Sequence, residues 1–372
     1  MTQSVLLVIA LLISPPQSPA QATDVAARFN RAIELQRAGQ LAEAAGEYRA
    51  ILRLKPDYAE VHANLGAVLA RLGQYEESVR SYEAALKLAP HLTPIRMNLG
   101  IAHYRAGQFA KAADAFEKFL LAQPENAQAR QLLGICLVEI DREAEAVAHL
   151  EPAIDAGSSD LMALFSLGTA YLRLRRPQLE SVLQKLMTIP QGVALAHLLR
   201  GQAHLEMFSF EAAASELEAA AKLDAELPRL QYSLGLSYLK LGRYAEAIGC
   251  FDRELRKYPN DFGLLYFKAF CQEATGDLAA ARTNVESALK LESESPEAKT
   301  LCAKIMLKQG EAARALPLLE AVIRKEPNDS DKRYLLAKIY QRLNRGDEAA
   351  REFALAEQLK ARTRATERKK NP

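Results

Sequence analysis

Tryptophan is absent from the 372 residues. Cysteine occurs only four times, at positions 136, 250, 271 and 302, and never in a Cys-x-x-Cys spacing. That spacing is what zinc ribbons and dithiol redox sites require. No Gly-rich phosphate loop, nucleophile elbow or His-Glu-x-x-His arrangement is present, so the motifs that announce nucleotide binding, acyl transfer or zinc-dependent hydrolysis are missing. Charge of one sign is missing too: 48 Lys and Arg face 46 Asp and Glu, a net charge of +2. From Lys360 onward six basic residues stand against Glu367, which leaves about −3 for the rest of the chain. Such a body does not suit nucleic acid. Long apolar runs are lacking as well. Val5 to Ile13 gives nine residues, too few to cross roughly 30 Å of hydrocarbon as a helix.

That short run has another use. It fits the h-region of a secretory signal, and Ala20-Gln21-Ala22 supplies a small-x-small cleavage pattern. Residues 1–22 therefore read as a cleaved signal peptide, and the mature chain as exported, either periplasmic or secreted. The alternative is tethering by an uncleaved N-terminal segment. The first cysteine is Cys136, so no lipid-attachment cysteine lies near the cleavage pattern.

What the sequence does have is a period. Ala59 to Pro90 fits two amphipathic helices on either side of Leu72-Gly73-Gln74. Leu65, Gly66 and Leu69 recur at helical spacing in the first, and Val79, Tyr82, Ala85 and Leu86 in the second. Gly73 suits a turn of positive φ, and Pro90 stops the second helix. The same roles return 34 residues later at Leu99, Gly100, Gly107, Ala112, Phe116 and Pro124, and again at Leu133, Gly134, Ala146 and Leu150.

Frames starting at 25, 59, 93, 127, 161, 194, 228, 262, 296 and 330 carry this unit over residues 25–363. The eighth place of a frame is Gly or Ala every time, from Ala32 and Gly66 to Ala303 and Ala337. The pattern resembles tetratricopeptide repeats, whose 34-residue helix–turn–helix unit has this small/large signature. The resemblance implies an all-α fold, a right-handed superhelical α-solenoid of antiparallel helix pairs. Repeats one to four fall at 25–160, an irregular fifth at 161–193, repeats six to ten at 194–363, and a basic, frayed tail at 364–372. Arg28 and Arg31 read as the polar outer face of a terminal repeat. In the fifth repeat the turn Arg175-Arg176-Pro177 is one residue short. This puts Pro177 at the first helical position and Leu179, Leu183 and Leu186 at the crossing, with Leu179 splaying the helices.

In tetratricopeptide arrays the inner surface is lined by first helices, chiefly at places 2, 5, 6, 9, 12 and 13. Place 6 reads Asn30, Asn64 and Asn98 in succession. An amide that both donates and accepts can grip an extended backbone whatever its sequence. Place 13 carries Arg37, Arg71, Arg105, Arg173, Lys240, Lys308 and Arg342, a basic edge favouring acidic ligands. Aromatic residues recur at place 5 (Phe29, Phe165, Tyr232, Tyr266, Tyr334), and Tyr104 stands at place 12. These residues mark either a peptide-binding groove or the repeat itself. A carboxylate clamp of the co-chaperone type is not matched: Phe29, Ile33, Pro94 and Asn98 hold its places, and only Asn64 fits.

His197 and His204, seven apart, fall on places that pack between helices and read as core or interface residues. The cysteines read as buried small hydrophobes, although Cys271 and Cys302 lie on the first helices of adjacent repeats. No catalytic, cofactor-binding or metal-ligating set emerges. The expectation is a non-catalytic scaffold for a protein or peptide partner, in envelope assembly, secretion or polysaccharide machinery. Its rivals are a spacer docked on a membrane or polyanion through the basic tail, and an accessory subunit of an enzyme.

Overall fold

The computed structural model describes residues 19–370, with side chains from 24 to 364. The predicted signal segment thus lies outside the described residues, except for the backbone at 19–22, where the first helix opens. Among the described residues there are twenty α-helices, one short 3-10 turn and no strand. They form two compact units that divide between residues 192 and 193.

In the first unit α1 (Pro19–Arg37) pairs with α2 (Leu41–Leu54), and α3 (Ala59–Arg71) with α4 (Tyr75–Leu88). Next come α5 (Thr93–Arg105) with α6 (Phe109–Leu120), α7 (Ala127–Glu139) with α8 (Glu143–Asp155), and α9 (Leu161–Arg173) with α10 (Leu179–Met187). In the second, α11 (Val193–Glu206) pairs with α12 (Phe210–Leu223), and α13 (Leu230–Lys240) with α14 (Tyr244–Leu255). There follow α15 (Phe262–Thr275) with α16 (Leu278–Leu291), α17 (Pro296–Lys308) with α18 (Ala312–Lys325), and α19 (Ser330–Arg342) with α20 (Gly346–Lys370).

The small residue at place 8 is what closes each hairpin. A Cβ added at Gly100 would stand 2.5 Å from Phe116, and one at Gly235 would stand 2.6 Å from Phe251. Both rings are wholly buried, each burial contributing about 2–3 kcal/mol. Where place 20 is Ser78 instead of Ala, its hydroxyl donates to the Gly66 carbonyl at 2.7 Å in the buried crossing. At the first repeat Arg28 pairs with Asp24 and Glu47, each at 3.0 Å, and keeps its other edge in water.

Two details depart from the sequence reading. Pro177 stands in the turn before α10 and not inside the helix, because Gln178 is the residue that caps it. Leu179 is left half-buried, and the fifth hairpin is closed by Val182, Leu183 and Leu186 over a helix of only nine residues. The basic tail is helical rather than frayed over 364–370, where α20 continues to Lys370, and its last two residues lie outside the described residues. Its first turns are anchored by Ala349 and Ala356, and no proline or glycine follows to stop it before Pro372. No helix among the described residues is long and apolar enough to cross a membrane.

Candidate functional site

Successive first helices touch one another: α3 and α5, and α7 and α9, in the first unit, and α11 through α19 at every step in the second. Successive second helices make no comparable contact among the described residues. Within each unit the first helices therefore follow the shorter, inner path.

Asn30 is exposed, and Asn64 and Asn98 are half-buried. None of the three amides makes a hydrogen bond among the described residues, and none is sealed from solvent. Other asparagines are committed. The Asn126 Oδ1 accepts from the Ala129 N–H at 2.9 Å, capping α7. The Asn284 Nδ2 donates to Gln272 Oε1 at 2.8 Å and to the Ala280 carbonyl at 3.1 Å.

The basic edge divides into two kinds of residue. Arg71 reaches back to the Gln36 carbonyl at 3.4 Å, at the end of the preceding first helix. Arg173 donates to the Val138 carbonyl at 3.0 Å and pairs with Asp141 and Glu143, each at 2.9 Å. These arginines tie a repeat to the turn before it, where helix carbonyls carry partial negative charge. Arg37 and Arg105 are exposed and make no ion pair among the described residues.

The tyrosines differ in setting. Tyr104 is half-buried edge-on to Phe109, with centroids 5.8 Å apart, and burial raises its hydroxyl pKa. Tyr232 and Tyr266 both meet Phe267 edge-on, at 6.3 and 5.3 Å, forming one continuous aromatic surface on α13 and α15. The Arg229 guanidinium lies 4.3 Å over the Tyr232 ring while holding Asp261 at 2.8 Å.

Histidine and cysteine supply no site. His197 Nδ1 lies 2.6 Å from Glu216 Oε2. His204 does not join it, and its own Nδ1 is buried without a partner. All four cysteines are buried free thiols. Burial pushes Cys136 and Cys271 up to about 12 and Cys302 to about 11, so none is a poised nucleophile.

Sequence reasoning missed two features. Tyr171, Tyr238 and Tyr340, all at place 11, donate to a carboxylate twenty residues back on the preceding second helix: Glu151, Glu218 and Glu320. The recurrence of that spacing was the available signal. The second unit also buries two carboxylates almost completely, Glu254 and Glu273. Both stand on helices, where spacing alone gives no warning that a neighbouring element covers them. Glu273 is held by Lys304 at 2.9 Å and Lys308 at 2.5 Å from the next repeat. Burial alone would raise its pKa, but the two ammonium groups outweigh it and hold the carboxyl below its usual range.

Tetratricopeptide repeat family profiles match residues 29–92 and 194–262, residues 65–133 and residues 306–364, together more than half of the chain. Among curated proteins, anaphase-promoting complex subunit 3 of Schizosaccharomyces pombe is 26% identical over 161 residues, 43% of this chain and 24% of the relative. DnaJ homolog subfamily C member 3 of Gallus gallus is 26% identical over 227 residues, 56% of this chain and 44% of the relative. The chain thus spans less than half the length of either relative. Among solved structures, MamA from Desulfovibrio magneticus RS-1 matches 44% of this chain and 92% of its own, at 21% identity and a TM-score of 0.41. Yeast Tom70 matches 92% and 97%, at 15% identity and a TM-score of 0.38.

Proposed function

We infer, since the chain belongs to the tetratricopeptide repeat family, that it is a non-catalytic scaffold whose inner faces hold an extended protein segment. Stacked repeats present long continuous surfaces on the inner side of their array, and such surfaces bind chains. The observation that carries the reading is the set of uncommitted amides at Asn30, Asn64 and Asn98. They recur at one place per repeat, open to solvent, with both donor and acceptor unused. The exposed guanidinium groups of Arg37 and Arg105 beside them favour an acidic segment. Tyr104, and in the second unit Tyr232 and Tyr266, offer apolar faces with polar tips for side-chain anchoring.

The apolar run Val5–Ile13 and the Ala20-Gln21-Ala22 pattern support export. The work proposed is then periplasmic or extracellular, in envelope assembly, secretion or polysaccharide machinery.

The test is binding of the full-length chain to an array of randomised extended peptides, beside Asn64→Ala/Asn98→Ala. Each amide removed forfeits backbone hydrogen bonds of about 1 kcal/mol apiece, so binding should fall roughly tenfold or more across unrelated sequences. Circular dichroism should stay unchanged. Equal binding by a folded double variant would sink the reading.

A further inference from the structure

The tyrosines at place 11 tie a first helix to the second helix before it, by donating to Glu151, Glu218 and Glu320. In the third repeat that place is His103, on α5, and the residue twenty back is again a glutamate, Glu83, on α4. Here the bond is not made. His103 is almost wholly buried, and its Nδ1 lies 2.8 Å from Gln108 Oε1 in the turn that follows. Glu83 is exposed and has no hydrogen bond or ion pair among the described residues. Other carboxylates at its place are engaged even where no tyrosine reaches them. Glu117 pairs with Arg142 at 3.4 Å, Asp252 with Lys268 at 2.7 Å and Glu286 with Arg282 at 2.8 Å.

A cleft of about 250 Å³ opens at this point, lined by α4, α5 and α6. Glu83 lines it from α4, Leu99 and His103 from α5, and Lys111 from α6. Asp114 and Lys118, also at its edge, satisfy each other at 2.7 Å. Arg96 donates one N–H to the Pro90 carbonyl at 2.8 Å, which leaves the rest of its fork open. Lys111 is exposed and has no partner among the described residues. One carboxylate and two cations thus line a single cleft from different helices and make no ion pair with one another. An anion alone would leave Glu83 opposed by like charge, and a cation alone would leave Lys111 and Arg96 so opposed. A molecule that carries both charges satisfies both. A metal ion is not suited, because no group of three His, Cys, Asp or Glu side chains among the described residues could hold one.

We propose that this cleft binds a small zwitterion, a free amino acid with an apolar side chain. Its ammonium donates to Glu83, where a tyrosine hydroxyl donates in other repeats. Its carboxylate accepts from Lys111 and Arg96, and its side chain lies on Leu99. The site draws on none of the residues named for peptide binding.

The experiment is calorimetric titration of the full-length chain with L-leucine, beside isocaproate and isoamylamine, which keep leucine's apolar chain with only one of its charges. Leucine should bind saturably, and either analogue should bind roughly tenfold more weakly, since each forfeits a charge-assisted contact. Glu83→Gln should weaken leucine about tenfold and leave isocaproate unchanged. Lys111→Met should weaken leucine and isocaproate and leave isoamylamine unchanged. His103→Tyr, which restores the phenol at place 11 and fills the cleft, should abolish binding with unchanged circular dichroism. The proposal is overturned if leucine does not bind, or if isocaproate binds as tightly as leucine, which would make this an anion site only. It is also overturned if leucine binds a folded His103→Tyr chain, or Glu83→Gln, as it binds the wild type. Peptide binding at Asn64 and Asn98 stands apart from each of these results, so the two readings can fail separately.

Discussion

The two units share one scaffold and differ in what they expose and bury. In the first, the first helices carry Asn30, Asn64 and Asn98 in succession, their amides without a hydrogen bond among the described residues, and the exposed Arg37 and Arg105. In the second, they carry Tyr232, Tyr266 and Phe267 in edge-on ring contact. The interiors differ in the same direction. The buried polar side chains of the first unit are Ser78, Ser81, His103 and Ser166, all able to remain neutral; those of the second include Glu254 and Glu273. Among the described residues, only the second ties its repeats together through a fully buried carboxylate, Glu273.

The largest expected effect tests the part the units have in common. Gly100→Val and Gly235→Val each drive a branched side chain into a fully buried phenyl ring, the Cβ alone arriving at 2.5 and 2.6 Å. Overpacking of this kind should destabilise the mutated unit by about 3 kcal/mol, read by urea denaturation. The two losses should agree, because the same contact closes both hairpins. A cost at one site and none at the other would show that the repeats are not held shut in the same way.

The next effect separates the units. Glu273→Gln removes the carboxylate that two lysines share and should destabilise by about 1–2 kcal/mol at neutral pH. The folded pKa of Glu273 is depressed, for although burial opposes this, the Lys308 and Lys304 contacts prevail. Its contribution is therefore present above the unfolded pKa of about 4.3 and disappears as pH falls through the lower folded value. Glu254 has the opposite sign. Burial raises its pKa, and Oε1 has no hydrogen-bond partner. Its contribution is fully present below the unfolded pKa and is lost as pH rises through the folded one. Glu254→Gln should accordingly stabilise by about 1 kcal/mol at neutral pH and by nothing in acid. Denaturation of the three proteins between acid and neutral pH should show curves that diverge in opposite directions from the wild type. Parallel curves would mean that neither carboxylate titrates with folding.

Much of this architecture was legible from spacing. The 34-residue frame places most helix starts to the residue, because a buried Gly or Ala is demanded wherever two helices cross and a turn residue wherever they end. Two positions escaped for a physical reason. Pro177 is compatible both with a first helical turn and with the loop before it, and only the register of Val182, Leu183 and Leu186 against α9 decides between them. The recurring places of the first helices were legible as a set. Which residues remain uncommitted was not, since Arg71 and Arg173 look like Arg37 and Arg105 until their backbone partners are seen. Buried carboxylates escaped altogether, because helical periodicity reports which face a residue is on and not whether a neighbouring repeat covers it.

The smallest effect sharpens the comparison at the turns. Each unit has a non-glycine residue at a left-handed place 15: Arg175 at φ 52° in the first and Asn344 at φ 57° in the second. Asparagine tolerates this conformation because its short side chain bonds locally, whereas a long side chain such as Arg bears the full Cβ clash of about 1 kcal/mol. Glycine removes the clash but gains freedom in the unfolded chain, worth about 0.5 kcal/mol against it. Arg175→Gly should therefore stabilise the first unit by about 0.5 kcal/mol, and Asn344→Gly should leave the second unchanged or slightly weaker. Thermal melts of the two variants decide the matter. A gain at Asn344 as large as at Arg175 would mean that the turn strains whatever residue stands there, and that the side chain's own chemistry does not set the cost.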